Sequence, residues 1–291
     1  MNKRMIVVTG ATGQLGRLVI ANLLKRVPAT QIVAAARTPS KAADLAALGV
    51  HVREADYGKP ATLAAAFAGA TSILLISSPA LPTEGVRISE HKAVIDAAKA
   101  AGAQLLAYTS VLRAETSTLL VGPEHLATER HVIASGIPWV LLRHGSYLEN
   151  HTASLGPALQ SGTIVGSAGK GRFAAAARAD YAEAAAVVLT TPGHAGKIYE
   201  LGGDVAYTLA QLASEVGKQS GKKIVYNNLP ERAYQEILES VGLPADLASF
   251  VADSDTKATQ GELDTTSRDL SGLIGHPTTT LAAAVGGALP Q

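Results

Sequence analysis

The sequence predicts an α/β chain built on a doubly wound parallel sheet, and three observations predict it. Short apolar runs alternate with longer, Ala-rich stretches of helical period. A glycine-rich turn joins the first run to the first helical stretch. After Arg143 the alternation loosens into what reads as a smaller C-terminal α/β layer. With 291 residues, 47% of them hydrophobic and 17% charged, the chain can bury a large core, and disorder is excluded as its dominant state.

Residues 6–9, 32–36, 50–54, 73–76, 105–109 and 139–143 read as six strands. Most are continuous apolar runs, as strands covered on both faces should be. Between them, 14–25, 41–47, 61–68, 90–101 and 124–135 read as helices. Gly102 and Gly136 stand just past two of these, where a left-handed cap favours glycine. Alternation of this kind implies right-handed crossovers and parallel pairing. Beyond Arg143, five glycines from Gly156 to Gly171 punctuate short extended pieces. Residues 180–191 then read as a helix with Asp180 as its N-cap, and 197–201 as a strand. Helices are expected at 208–220, 231–241 and 244–253, with a strand at 223–228. The division that follows is a dinucleotide-binding domain of 1–145 plus about 180–205 and a smaller substrate-binding domain of 146–179 plus 206–291. The smaller layer is expected over the carboxyl ends of the sheet strands.

Composition narrows the function. Twenty-five Lys and Arg against 24 Asp and Glu give a net charge of +1, which offers no field for a polyanion, so nucleic acid is not an expected partner. Cysteine is absent, which removes disulfides, thiolate catalysis, Fe–S clusters and Cys-based zinc sites. The eight histidines are scattered without a ligand-spaced pair, and Asp253, Asp255 and Glu262 read as solvated charges. No metal is expected. His276-Pro277 reads as a turn before the last helix. The apolar run after the first five residues is too short for a secretory leader, and nothing approaches the ~20 apolar residues of a membrane helix. The reading is a soluble, cytoplasmic protein with no membrane partner.

The most informative segment is Val8-Thr9-Gly10-Ala11-Thr12-Gly13-Gln14-Leu15-Gly16. Its glycines, spaced GxxGxxG, follow the first strand and open the first helix, the Rossmann arrangement for a dinucleotide. Gly10 permits the tight turn, Gly13 a close approach to a pyrophosphate, and Gly16 close packing of helix on strand. Phosphates then meet the free N–H groups at the positive end of the helix, including those of Thr12, Gln14 and Leu15. An NAD site usually carries an acidic residue at the end of the second strand. Here that strand ends Ala36-Arg37-Thr38-Pro39-Ser40-Lys41, with no carboxylate. Arg37, helped by Thr38 or Lys41, suits a 2′-phosphate, so NADP(H) is expected in preference to NAD(H). Asp56-Tyr57 closes the third strand within reach of an adenine amino group. Ser77-Ser78 ends the fourth beside the expected ribose, and Tyr108-Thr109-Ser110 ends the fifth.

With these residues and Leu141-Leu142-Arg143, the chain resembles the NmrA-like group of atypical short-chain dehydrogenase/reductases. Within it the likeness is to the bacterial NAD(P)H:quinone oxidoreductases and triphenylmethane-dye reductases. The likeness runs nearly end to end, through Arg53 to Tyr57, His125-Leu126-Ala127-Thr128-Glu129, Arg178-Ala179-Asp180-Tyr181 and Ile274-Gly275-His276-Pro277-Thr278-Thr279-Thr280. The resemblance implies a flavin-free NADPH reductase of quinones or other conjugated electrophiles, with two domains and a substrate cleft. A homodimer fits it, although no seam is legible.

Standard short-chain dehydrogenases use Tyr-x-x-x-Lys on one helix, the Lys tuning the phenol for proton transfer. None of the eight tyrosines here has a Lys four residues on. Where the family would place that motif, His125 takes the tyrosine position and Glu129 the lysine position. Quinone reduction tolerates the loss, because hydride addition yields a hydroquinone anion that solvent can protonate. His125 is one candidate proton donor, against the plain alternative of a buried, hydrogen-bonded histidine. The other candidates follow the sixth strand in Arg143-His144-Gly145-Ser146-Tyr147-Leu148-Glu149-Asn150. Tyr147 and Asn150 match the family pattern and suit a quinone oxygen. His144 stands where related reductases carry Asn, and Ser146 where a bulky aromatic can appear. Arg143 and Tyr147 have the alternative role of tying the two halves together. Two further readings stay open: a reductase of dyes, azo compounds or activated carbonyls, and a catalytically silent NADP(H)-binding redox sensor.

Overall fold

In a computed structural model, residues 4–81, 85–153 and 155–290 are described. The apolar runs become strands β1 (Ile6–Val8), β2 (Ile32–Ala36), β3 (His51–Glu54), β4 (Ser72–Leu75), β5 (Leu105–Val111) and β6 (Trp139–His144), followed by β7 (Thr163–Gly166), β8 (Lys197–Leu201) and β9 (Val225–Asn228). Seven of them form one sheet in the order β3-β2-β1-β4-β5-β6-β8. The β1–β2, β1–β4, β2–β3 and β4–β5 ladders are parallel, with Ile6 opposite both Ile32 and Ser72. β1, β2 and β4 are buried along their whole length, which explains runs without polar alternation. Strand order reverses on either side of β1, so the carboxyl ends of β1 and β4 flank the point where such sheets bind ligands.

The helices are α1 (Gln14–Leu24), α2 (Ala43–Ala47), α3 (Pro60–Phe67), α4 (Val86–Ala100) and α5 (Gly122–Ala134), then α6 (Leu148–Thr152), α7 (Leu155–Ser161) and α8 (Arg178–Thr190), and finally α9 (Leu209–Ser220), α10 (Glu231–Ser240), α11 (Ala245–Ala258), α12 (Asp269–Ile274) and α13 (Leu281–Ala288). α1 buries Leu15, Gly16, Val19, Ile20 and Leu23, one stripe at helical spacing. One face of the sheet packs Val7, Val33, Ile73 and Leu75 with Phe67 of α3, Val94 of α4 and Val132 of α5. Gly102 and Gly136 adopt the left-handed conformation, with φ of +71° and +78°.

The chain divides into two compact units. The first comprises Met1–Ala114, Glu124–Arg143 and Tyr181–Tyr199, and the second Glu115–Pro123, His144–Asp180 and Glu200–Gln291. The second unit holds the parallel β7–β9 pair and helices α6, α7 and α9 to α13, while most of α8 belongs to the first. α9 carries a capping box in which Thr208 and Gln211 exchange side-chain and backbone hydrogen bonds.

Three expectations need correction. The helix expected from Asp180 begins at Arg178, and Asp180 is not its N-cap: its carboxylate accepts the Thr279 amide at 2.8 Å and the Thr279 hydroxyl at 3.0 Å. The helix expected to end at Asp253 continues to Ala258. Asp253 and Asp255 are not solvated charges. Asp253 accepts the Leu120 amide at 3.2 Å and Asp255 the Ser167 amide at 3.0 Å, so both are buried as local backbone anchors. Glu262 is half-buried and accepts the Thr118 hydroxyl at 3.1 Å. Among the described residues, no helix is long and apolar enough to cross a membrane, and no three His, Asp or Glu are grouped to hold a metal ion.

Candidate active site

The glycine turn is built as its spacing requires. Gly10 has φ of +59°, the Gly13 amide donates to the Gly10 carbonyl at 2.9 Å, and α1 starts directly behind with Gly13 as an N-cap lacking any side-chain cap. The amides of the first turn are therefore offered by backbone alone. Leu15 and Gly16 are buried while Gly13 and Gln14 are exposed, so the rim is free and its support is packed. A Cβ on Gly16 would fall inside the Gly10 carbonyl oxygen and 2.8 Å from the Ala11 Cα. Gly16 is thus the close contact between α1 and the turn after β1, and the backbone amides of the first turn, at a helix N-terminus, fit a dinucleotide pyrophosphate.

At the end of β2, Arg37 and Lys41 are exposed, and Arg37 has no partner among the described residues. The turn behind them is held by Arg17, which the sequence did not single out. Arg17 pairs with Asp44 and donates to the Lys41 carbonyl at 2.6 Å. Asp56 closes a small turn by accepting the Gly58 amide at 3.1 Å.

Three of the sequence-selected hydroxyls turn out to fasten strand ends. Tyr57 donates to Thr9 and lies 2.9 Å from the Ile76 carbonyl. Thr109 accepts the Ser77 amide at 2.9 Å. Ser78 donates to Glu90, and its amide donates to His91 Nε2 at 2.7 Å. Ser110 is different. Its hydroxyl is buried at the end of β5 with no hydrogen-bond partner among the described residues, a donor still to be satisfied.

His125 is 4% exposed, and its Nδ1 lies 2.6 Å from the Tyr108 hydroxyl. It is thus a buried histidine hydrogen-bonded to Tyr108 of β5. Glu129 forms a buried two-pronged pair with Arg143, at 2.8 and 2.5 Å, so the residue at the lysine position joins α5 to β6. Arg143 thus ties two elements of the first unit. Sequence reasoning missed His91, fully buried on α4. The Ser78 amide makes its Nε2 an acceptor, and its Nδ1 meets Thr128 at 3.0 Å, so the ring is neutral. Its position on a helix face carried no distinguishing signal.

In the second unit, the segment after β6 runs extended against Ala176. The Ala176 amide donates to the Ser146 carbonyl at 3.1 Å and the Leu148 amide to the Ala176 carbonyl at 2.9 Å. This presents Tyr147 just before α6 and Asn150 within it. The His144 Nδ1 and Tyr147 hydroxyl are 3.4 Å apart, and the Arg178 guanidinium lies 4.5 Å over the Tyr147 ring. Burial pushes the Tyr147 phenol up to about 12 and the His144 imidazole down to about 3. At neutral pH, Tyr147 therefore keeps its proton and His144 is uncharged.

The same desolvation acts on stability. In the folded protein His91 and His144 titrate near 3 and His151 near 4, held down by burial, with Arg87 adding to the effect at His91. Unfolded, each returns to about 6.5, so the unfolded chain binds more protons at acid pH and stability falls as pH drops below about 6.5. Each histidine removes up to about 2 kcal/mol at pH 5. Asp255, raised by burial to about 6 from 3.8, favours the folded state as pH falls through 6 and offsets part of this. The melting temperature is expected to fall by about 5–10 °C between pH 7 and pH 5. A level profile in thermal denaturation would show that these rings are not held neutral.

Fold and site together define a dinucleotide-binding protein of the doubly wound α/β class. The chain belongs to the NmrA-like family, whose model matches residues 2–273. Quinone oxidoreductase 2 of Escherichia coli (strain K12) is 54% identical over 281 residues, 97% of each chain. The crystal structure of the E. coli NADPH-dependent quinone oxidoreductase complexed with NADPH matches with a TM-score of 0.93 at 54% identity, covering 97% of this chain and 99% of that one. The Citrobacter sp. triphenylmethane reductase complexed with NADP(H) matches with a TM-score of 0.93 at 40% identity, covering 98% and 100%.

Proposed function

We propose that the protein is an NADPH-dependent, flavin-free reductase that transfers hydride directly to a quinone. The observation that carries this is the near-complete match, at 54% identity, to an NADPH-bound quinone oxidoreductase, on a chain whose glycine turn is shaped for a dinucleotide. Gly10, Thr12, Gly13, Gln14, Leu15 and Gly16 would hold the pyrophosphate, and Arg37 with Lys41 the 2′-phosphate. Asp56 would serve the adenine, and Ser77 and Ser110 the ribose and nicotinamide side. Location in the cytoplasm, a homodimer, and a division into dinucleotide-binding and substrate-binding domains belong to the same proposal.

When bound, the dihydronicotinamide supplies a hydride, two electrons with one proton. A quinone that accepts it becomes a hydroquinone anion, and one further proton completes the hydroquinone. Tyr147 and Asn150 would orient the carbonyl oxygen by hydrogen bonding, with the Tyr147 phenol protonated throughout the working range. No general base is needed in this direction, which accommodates His125 and Glu129 in place of Tyr and Lys.

The test is turnover of NADPH and NADH with quinones and triphenylmethane dyes, beside thermal shift with each nucleotide. A quinone rate with NADPH well above that with NADH is expected. Preference for dyes would favour the second reading, which the 40% identity to the Citrobacter reductase supports. Nucleotide binding with no turnover on any acceptor would indicate a sensor instead. Arg37→Asp is expected to weaken NADPH by about tenfold or more and to shift preference towards NADH, as one charge-assisted phosphate contact becomes a repulsion. An unchanged ratio of the two dissociation constants would remove Arg37 from the 2′-phosphate.

A further inference from the structure

We propose that Arg178 is a positioning residue that sets Tyr147 and Asn150 as paired hydrogen-bond donors for the quinone oxygen on which charge develops; the inference rests on the reductase reading above. Arg178 opens α8 and reaches three side chains of the segment after β6. Its Nη2 donates to Asn150 Oδ1 at 2.8 Å, its guanidinium carbon sits 4.5 Å over the Tyr147 ring, and its Nη1 lies 3.7 Å from Glu149. Its own backbone amide donates to both Glu149 carboxylate oxygens, at 3.0 and 3.2 Å.

Arginine has donors only, so the amide of Asn150 must turn its oxygen towards Arg178 and its NH₂ away. That Nδ2 makes no hydrogen bond among the described residues, and Asn150 is exposed. Tyr147 is the extended residue just before α6 and Asn150 stands within that helix, and the Arg178 guanidinium reaches both side chains. The cation over its face restrains the tyrosine ring, which has two rotatable bonds, while the fork of Arg178 restrains the amide. The result is one O–H and one N–H₂ group from one turn of chain, the donor set that an oxyanion requires.

Glu149 stands beside Arg178, so the cluster is close to neutral and contributes orientation more than field. Arg178 itself is fixed. Its side chain is 17% exposed, and Asp180, in the same first turn of α8, is clasped by Thr279. This also gives a purpose to two segments with no part in the cofactor site, Arg178 to Tyr181 and Ile274 to Thr280, which meet at Asp180 and Thr279.

The test compares wild type with R178M, R178K, N150D and Y147F/N150A, each alone and with R178M added to the last. Readouts are kcat and KM for a small quinone, the NADPH dissociation constant, the melting temperature, and the affinity for 4-nitrophenolate against neutral 4-nitroanisole at pH 9. R178M should lose about 100-fold in kcat with NADPH affinity unchanged within twofold, and R178K should recover part of it. N150D, which replaces the N–H₂ donor by a carboxylate, should lose at least as much. Both should lose the preference for phenolate over anisole. In the Y147F/N150A background, R178M should cost less than twofold. An undiminished loss in that background, or weakened NADPH binding in R178M, would overturn the inference and make Arg178 merely structural. Full activity of R178M in an active enzyme overturns the inference alone; a wild type without quinone turnover overturns the reductase reading and the inference with it.

Discussion

Gly16→Ala is expected to weaken NADPH binding by more than about 100-fold, equivalent to about 2.7 kcal/mol, and to destabilise the fold by about 2–3 kcal/mol. The added methyl group would meet the Gly10 carbonyl and the Ala11 Cα, both backbone, so no side-chain rotation relieves it. Relief requires α1 to move away from β1. The Gly10 turn would then lose its approach to the first-turn amides, which are offered by backbone alone. Isothermal titration with NADPH, together with a melting curve, measures both effects. A normal dissociation constant in this variant would mean that the phosphates bind elsewhere.

The second large effect is expected at the Glu129–Arg143 pair. Both side chains are almost completely buried, at 3% and 5% exposure. Arg143→Met should cost about 3–5 kcal/mol, because it leaves a carboxylate buried without its partner, and lower the melting temperature by about 10 °C. Adding Glu129→Leu should recover most of that loss, since a well-packed apolar pair removes both charges from the interior. Urea denaturation of the two variants settles the matter. A single variant within about 1 kcal/mol of wild type would show that the pair is solvated in solution. The pair also explains how Glu129 can stand at a lysine position without harm: it faces an arginine, and carries structure in place of proton transfer.

Much of this was legible in the sequence. Continuous runs such as Ile32 to Ala36 announce strands covered on both faces, and the glycine turn announces the helix behind it, because backbone geometry permits few other residues there. The glycine turn of the proposed cofactor site was legible for the same reason: Gly10 takes φ of +59° and α1 starts at Gln14 just behind it. What escaped was side-chain pairing across long separations. Asp253 and Asp255 look solvated by composition, and only the fold brings the Leu120 and Ser167 amides to them. His91 lies on a helix face with no local sign that Ser78 and Thr128 will engage both its nitrogens. The Tyr57 hydroxyl fastens Thr9 and Ile76, partners that nothing in its own segment announces. Arg178 stood in a recognised segment, but its reach to Asn150 and Tyr147 spans about thirty residues of sequence and has no period to betray it.

The central claim is direct hydride transfer from NADPH to a quinone with no flavin between them. The most direct test is an anaerobic reaction of purified protein, shown by its absorption spectrum to carry no flavin, with equimolar NADPH and a small quinone. Loss of NADPH absorbance and formation of hydroquinone are followed together. The account predicts one hydroquinone formed for each NADPH consumed, at a rate that added flavin does not change. Consumption that begins only when flavin is supplied, or a protein that binds NADPH and leaves the quinone untouched, would contradict it.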